Sequence, residues 1–157
     1  MENIVTRSVF KVLMGGLSDT DQITAKFGFP FNHHITQKNF PLTLSEAQYE
    51  NEIEIIHPGR SFSEEEGLKI LKDRGLLRPS HEHGIMFAQQ YGFSTPSEKY
   101  FYVIFLHESW LDPGYDRRVM CFDRFPGNCR LDLDLSERRF LEDCVIAGIR
   151  PHKPSVS

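Results

Sequence analysis

Long apolar runs are missing from this sequence, and so is any dense block of one charge. Nothing reaches the ~20 consecutive apolar residues that cross a bilayer as a helix, so no membrane span is expected. The start, MENIVTRSVF, has an acid in second place and no apolar run of leader length, which argues against a secretory signal. Cysteine is scarce: Cys121, Cys129 and Cys144, with no C-x-x-C spacing. Three thiols cannot all pair within one chain, so reduced cysteines in a cytoplasm are the simplest account.

The net charge is −4 with histidine neutral. A nucleic-acid binder usually carries a basic stripe to neutralise phosphates, so that class is disfavoured. It would need a basic face assembled by folding from Arg78, Arg117, Arg118, Arg124 and Arg139. A phosphate-cradling glycine loop is also missing, since Gly15-Gly16 alone does not make one. His107-Glu108 is followed by Ser109, Trp110 and Leu111, which is not the H-E-x-x-H metalloprotease pattern. Ser109 lacks the glycine elbow of a nucleophile, and Cys121 and Cys144 sit in apolar runs where a thiol behaves as a small hydrophobe.

What the chain has is aromatics: 13 Phe and 5 Tyr in 157 residues, too many for a disordered chain. Residues 6–13 read as a strand ending at Gly15-Gly16, and SDTDQITAKFG as a short helix capped by Ser18. From Gly28 to Asn51 the periodicity fails. Within it Thr43 and Glu46 suggest a capping box for a helix over 44–50, followed by a strand over 51–58. SFSEEEGLKILKDRG is the clearest helix, with Ser63 as cap, Glu66 closing the box, acids first, bases last and Gly75 at the end.

Ser80 caps a second clear helix through Tyr91. That reading decides the His81-Glu82-His83 triplet, because histidines two apart on a helix point to different faces and cannot share an ion. Residues 99–110 are apolar on both faces, the mark of a central strand. RRVMCFDRF and CRLDLDL form a hairpin through Pro126-Gly127, which sets Asp123 opposite Arg130 and Cys121 opposite Asp132. Residues 143–149 read as a last strand, since Gly148 suits a helix poorly.

The sum is an α+β single domain over 1–150 with a flexible tail at 151–157. Its antiparallel sheet has four to five strands, mostly from the C-terminal half, with about three helices on one side. The region from the Ser63 helix through GLLRP, FAQQYG, the Phe/Tyr strand and the closing hairpin resembles a group of short, uncharacterised bacterial proteins over about 52–150. The resemblance implies a layout only, because that group has no agreed activity.

Three functional readings follow. The first is a cytoplasmic binding or interaction domain without catalysis or cofactor. Its contact surface would combine the aromatic loop (Phe29, Phe31, His33) with the strand end (His107, Glu108, Trp110), to hold a protein or small-molecule ligand. A second copy would cover any apolar face left exposed. The second is a metal-assisted hydrolase or nuclease built on His107 and Glu108 with His81, His83, Asp132 and Asp134, oxygen and imidazole donors that suit a divalent ion. The third is the nucleic-acid accessory protein named above.

Overall fold

The computed structural model describes residues 8–27, 31–92, 101–125 and 128–152. Among the described residues six strands form one sheet: β1 (Ser8–Gly16), β2 (Ser45–Ile56), β3 (Phe101–Leu111), β4 (Arg117–Phe125), β5 (Asn128–Leu135) and β6 (Val145–Ile149), in the order β1-β2-β6-β3-β4-β5. The described residues also form three helices, α1 (Thr20–Lys26), α2 (Glu64–Asp73) and α3 (His81–Tyr91). The class is α+β, as the pattern implied, but the sheet has six strands and is mixed, because β3 and β6 run parallel.

The helices are not on one side. Ile85, Met86, Phe87 and Ala88 of α3 pack on Val12, Ile53, Val103, Phe105, Met120 and Leu131. Leu71 of α2 packs on the opposite face, with Ile104, Leu106, Val119, Cys121 and Ile146. Strand β3 alternates between these two cores, which explains why it is apolar on both faces. Since α3 touches β1 and β5, at opposite edges, the sheet curls around it. On the other face α2 approaches very closely: a Cβ on Gly148 would lie 2.7 Å from Leu71 Cδ2, and one on Gly67 2.6 Å from Leu106 Cδ1. Bare backbone at these two positions sets the layer spacing.

Several boundaries differ from expectation. The cap of α1 is Asp19, not Ser18: its carboxylate accepts the Gln22 N–H at 2.8 Å and the Gln22 side chain returns the bond at 2.8 Å. The predicted helix over 44–50 is the first half of β2. Glu, Ala and Gln favour a helix locally, yet this stretch pairs with β1 in register (Leu13↔Glu50, Met14↔Tyr49), and that pairing overrides propensity. Ser63 caps α2 by accepting the Glu66 N–H at 3.1 Å. The Glu66 carboxylate does not close the box on the Ser63 N–H; it accepts from Arg139 at 2.9 Å and from the Ser63 hydroxyl at 3.3 Å.

Both sheet edges are covered, β1 by a polar side chain and β5 by the backbone of the loop before it, a defence against edge pairing. On β1, the Gln90 amide copies a neighbouring strand, accepting the Leu13 N–H at 2.9 Å and donating to its carbonyl at 2.7 Å. On β5, the Asn32 N–H donates to Leu131 O at 2.9 Å, beside a parallel bridge between Phe31 and Leu131. The hairpin register matches the sequence reading, Asp123↔Arg130 and Cys121↔Asp132. Of the expected tail, residues 153–157 lie outside the described residues, and His152 is tied to Asn51 at 3.2 Å.

Candidate functional site

The most irregular part of the sheet is the end of β3. Between the pairs Phe105↔Met120 and Trp110↔Arg118, Leu106 through Ser109 stand against Val119 alone. A bulge of this size strips backbone groups of their ladder partners. Two side chains replace them. His107 Nε2 accepts the Met120 N–H at 2.9 Å, and Arg78 donates to the carbonyls of Leu106 and His107 at 2.7 and 3.0 Å. With Nε2 an acceptor, the neutral ring carries its proton on Nδ1 and donates it to Glu108 O at 2.7 Å. Burial pushes the His107 pKa down to about 4, against the opposing pull of the Glu108 carbonyl. His107 is a backbone surrogate, with both nitrogens in use.

The bulge aims Trp110 at a group of rings. Phe40, fully buried, is its hub: its centroid lies 5.2 Å from Trp110, 5.6 Å from His81 and 6.2 Å from His107. His34 lies 5.3 Å from Trp110, and the exposed His33 stacks 4.0 Å from His34. The cluster thus grades from a buried end at His107 to a solvent end at His33. The turn beyond it exposes Leu111 and Tyr115, the latter 84% accessible.

The loop that carries these rings is a packed wall, not a lid. Buried Thr20 of α1 donates to Phe40 O at 2.6 Å, and Gln37 exchanges bonds with Thr20 and Asp21 at 2.9 and 3.0 Å. Asn39 donates to His34 O at 3.0 Å, and Asn32 to the Asp132 carboxylate at 2.9 Å. His81 Nε2 donates to Pro41 O at 2.7 Å, which sets its ring beside Phe40.

The binding-surface residues named from the sequence divide as follows. His33 and Trp110 join one cluster through His34, with His107 at its inner end. Phe31 packs against the core beside β5, Glu108 is exposed, and Phe29 lies outside the described residues. Of the metal-site residues, His81 and His107 meet edge to face with centroids 6.3 Å apart, but the set does not converge. Among the described residues no three His, Cys, Asp or Glu side chains could hold an ion jointly. Asp132 is taken by Asn32 and lies 3.8 Å from Arg130. Asp134 accepts the Tyr102 hydroxyl at 2.5 Å and pairs with Arg138 at 3.3 Å. Burial, with Cys121 and this bond adding to it, raises the Tyr102 pKa.

Nothing in the sequence pattern marks Asn51 as part of a site. It is buried on β2 and meets His83, whose Nε2 lies 2.8 Å from Asn51 Oδ1. His83 Nδ1 in turn lies 3.0 Å from the Ser80 N–H and 3.1 Å from its hydroxyl. Ser80, His83 and Asn51 have the order of nucleophile, base and orienting amide. The Nδ1 lone pair, however, already accepts the Ser80 N–H, so the ring serves as the third-position partner of a helix cap. Desolvation brings the His83 pKa to about 4, partly offset by Glu82. Comparison with protein-family models, with curated proteins and with solved structures finds no match to this chain.

Proposed function

We propose that this protein is a small binding or interaction domain, acting in the cytoplasm without chemistry of its own. Its contact surface is the outer half of the ring cluster: His33, His34 and Trp110, with Leu111 and Tyr115 beyond. The supporting observation is the packing of His33, His34, Phe40 and Trp110 ring against ring on a loop fastened by α1. Such a surface offers aromatic area that is already ordered, so a partner bears little of the entropy cost of fixing it. The three cysteines are free and buried, which fits a reducing compartment. The occupied nitrogens of His107 and the separation of the acids give the metal-assisted reading no comparable support.

Trp110 is the only tryptophan, so its fluorescence reports directly on this surface. The expected result is saturable quenching or a spectral shift when the native chain is titrated with a collection of small aromatic fragments. A blue-shifted emission indifferent to every fragment would count against the proposal and reduce Trp110 to a cover for the sheet end.

A further inference from the structure

A chain of polar contacts links the start of α3 to the segment after β6. It runs from Ser80 through His83 and Asn51 to His152, with heavy-atom distances of 3.0, 2.8 and 3.2 Å. The direction of every bond is fixed by the one before it. The Ser80 N–H can only donate, so His83 Nδ1 accepts and the ring's proton sits on Nε2. That proton goes to Asn51 Oδ1. The amide's other end, Nδ2, can then only donate, which it does to Glu50 O at 3.3 Å and to His152 Nε2. His152 must therefore offer a lone pair at Nε2.

Protonation of His152 removes that lone pair. Two donors would then face each other, Asn51 Nδ2–H and His152 Nε2–H. A second arrangement relieves the conflict. If the Asn51 amide turns over, its oxygen accepts from His152 and its Nδ2–H points at His83 Nε2. His83 must then carry its proton on Nδ1, where the Ser80 hydroxyl oxygen waits 3.1 Å away as an acceptor. The Ser80 N–H loses its partner in the α3 capping box, and the Glu50 carbonyl, which accepts from Asn51 Nδ2 at 3.3 Å in the first arrangement, loses its donor. The proton count balances: one proton is added at His152, while His83 stays neutral and exchanges tautomers.

We propose that His152, Asn51 and His83 form a proton-driven two-state relay, in which protonation of the exposed His152 reverses the hydrogen-bond polarity and loosens the first turn of α3. Asn51 is 9% exposed, so neither of its amide ends has ready access to water as a substitute partner. His152 lies in an open groove of about 1320 Å³, whose charged lining is Glu50, Glu52 and Glu54 of β2, Asp73 and Arg74 at the end of α2, and Arg150 beside it. Arg150 is engaged by Glu52 at 3.0 Å and Glu54 at 2.8 Å, which leaves Glu50 as the β2 acid of that lining with no ion pair among the described residues. Around His83 the charged neighbours are Glu82 and His81 of its own helix. His81, in the same turn of α3, packs against Phe40 and His107 at the inner end of the ring cluster.

The two states differ in a quantity that nitrogen-15 NMR of histidine rings reads directly, the tautomer of His83. The full-length labelled chain would be followed through an acid titration, with the rings of His83 and His152 read together. The relay predicts an Nε2–H tautomer for His83 at the alkaline end. It predicts a change to Nδ1–H with the same midpoint as His152. In His152→Ala, which alters an exposed residue and leaves the cores intact, the tautomer should stay Nε2–H throughout. A His83 that keeps its Nε2–H form while His152 titrates, or one that changes equally in His152→Ala, overturns the proposal.

Discussion

The two ends of the ring cluster hold histidines of opposite kinds. At the inner end His107 is 2% exposed and spends both nitrogens on the backbone of a bulged strand. At the outer end His33 is exposed and touches the protein through the face of His34. The contrast teaches that a histidine-rich surface can be half scaffold and half contact area. Residue type does not separate the two halves; the fate of the ring nitrogens does.

Acid should break the scaffold half first. His107 and His83 have folded-state pKa values near 4, below the ordinary 6.5, so the unfolded chain takes up protons before the native one. The stability they carry is complete above about pH 6.5 and is lost progressively as pH falls toward 4. Each ring accounts for about 2–3 kcal/mol across that window. Denaturant midpoints measured at a series of pH values should show this fall, and a flat profile would mean both rings are protonated in the native state.

Next in size, His107→Ala leaves the Met120 N–H buried without an acceptor and opens space beside Phe40. The expected loss is about 3 kcal/mol in chemical unfolding. Arg78→Met keeps the stem but frees the Leu106 and His107 carbonyls, for about 2 kcal/mol in the same assay. Smallest of all, His33→Ala should change the unfolding free energy by less than about 0.5 kcal/mol. If His33→Ala proved as damaging as His107→Ala, the division into scaffold and contact area would fail.

Legibility followed the range of the interactions. Caps at Ser63 and Ser80, the two-faced β3 and the β4–β5 register are set by neighbours close in sequence or by one tight turn, and all were readable. The first half of β2 was not. Its residues favour a helix, and only the distant β1 makes them a strand. The parallel β3–β6 pair and the placing of α2 and α3 on opposite faces are also non-local, although β3's lack of a polar face was a clue to the latter. In the site, the sequence reading set the 28–42 loop beside the His107–Trp110 strand end, and the rings that meet Trp110 are His34 and Phe40, neither of which it named for that surface. Phe40 as hub was not separated from the other phenylalanines, and the role of His107 depends on a bulge that no local pattern announces. Asn51 reaches His83 across 32 positions, with nothing in either segment to mark the pairing.

The most direct test of the central claim is His34→Ala, studied by Trp110 fluorescence with a fragment that quenches the native chain. The account predicts that the saturable response disappears while the unfolding midpoint stays near that of the native protein. A response that survives, or one lost only because the protein has unfolded, would contradict it.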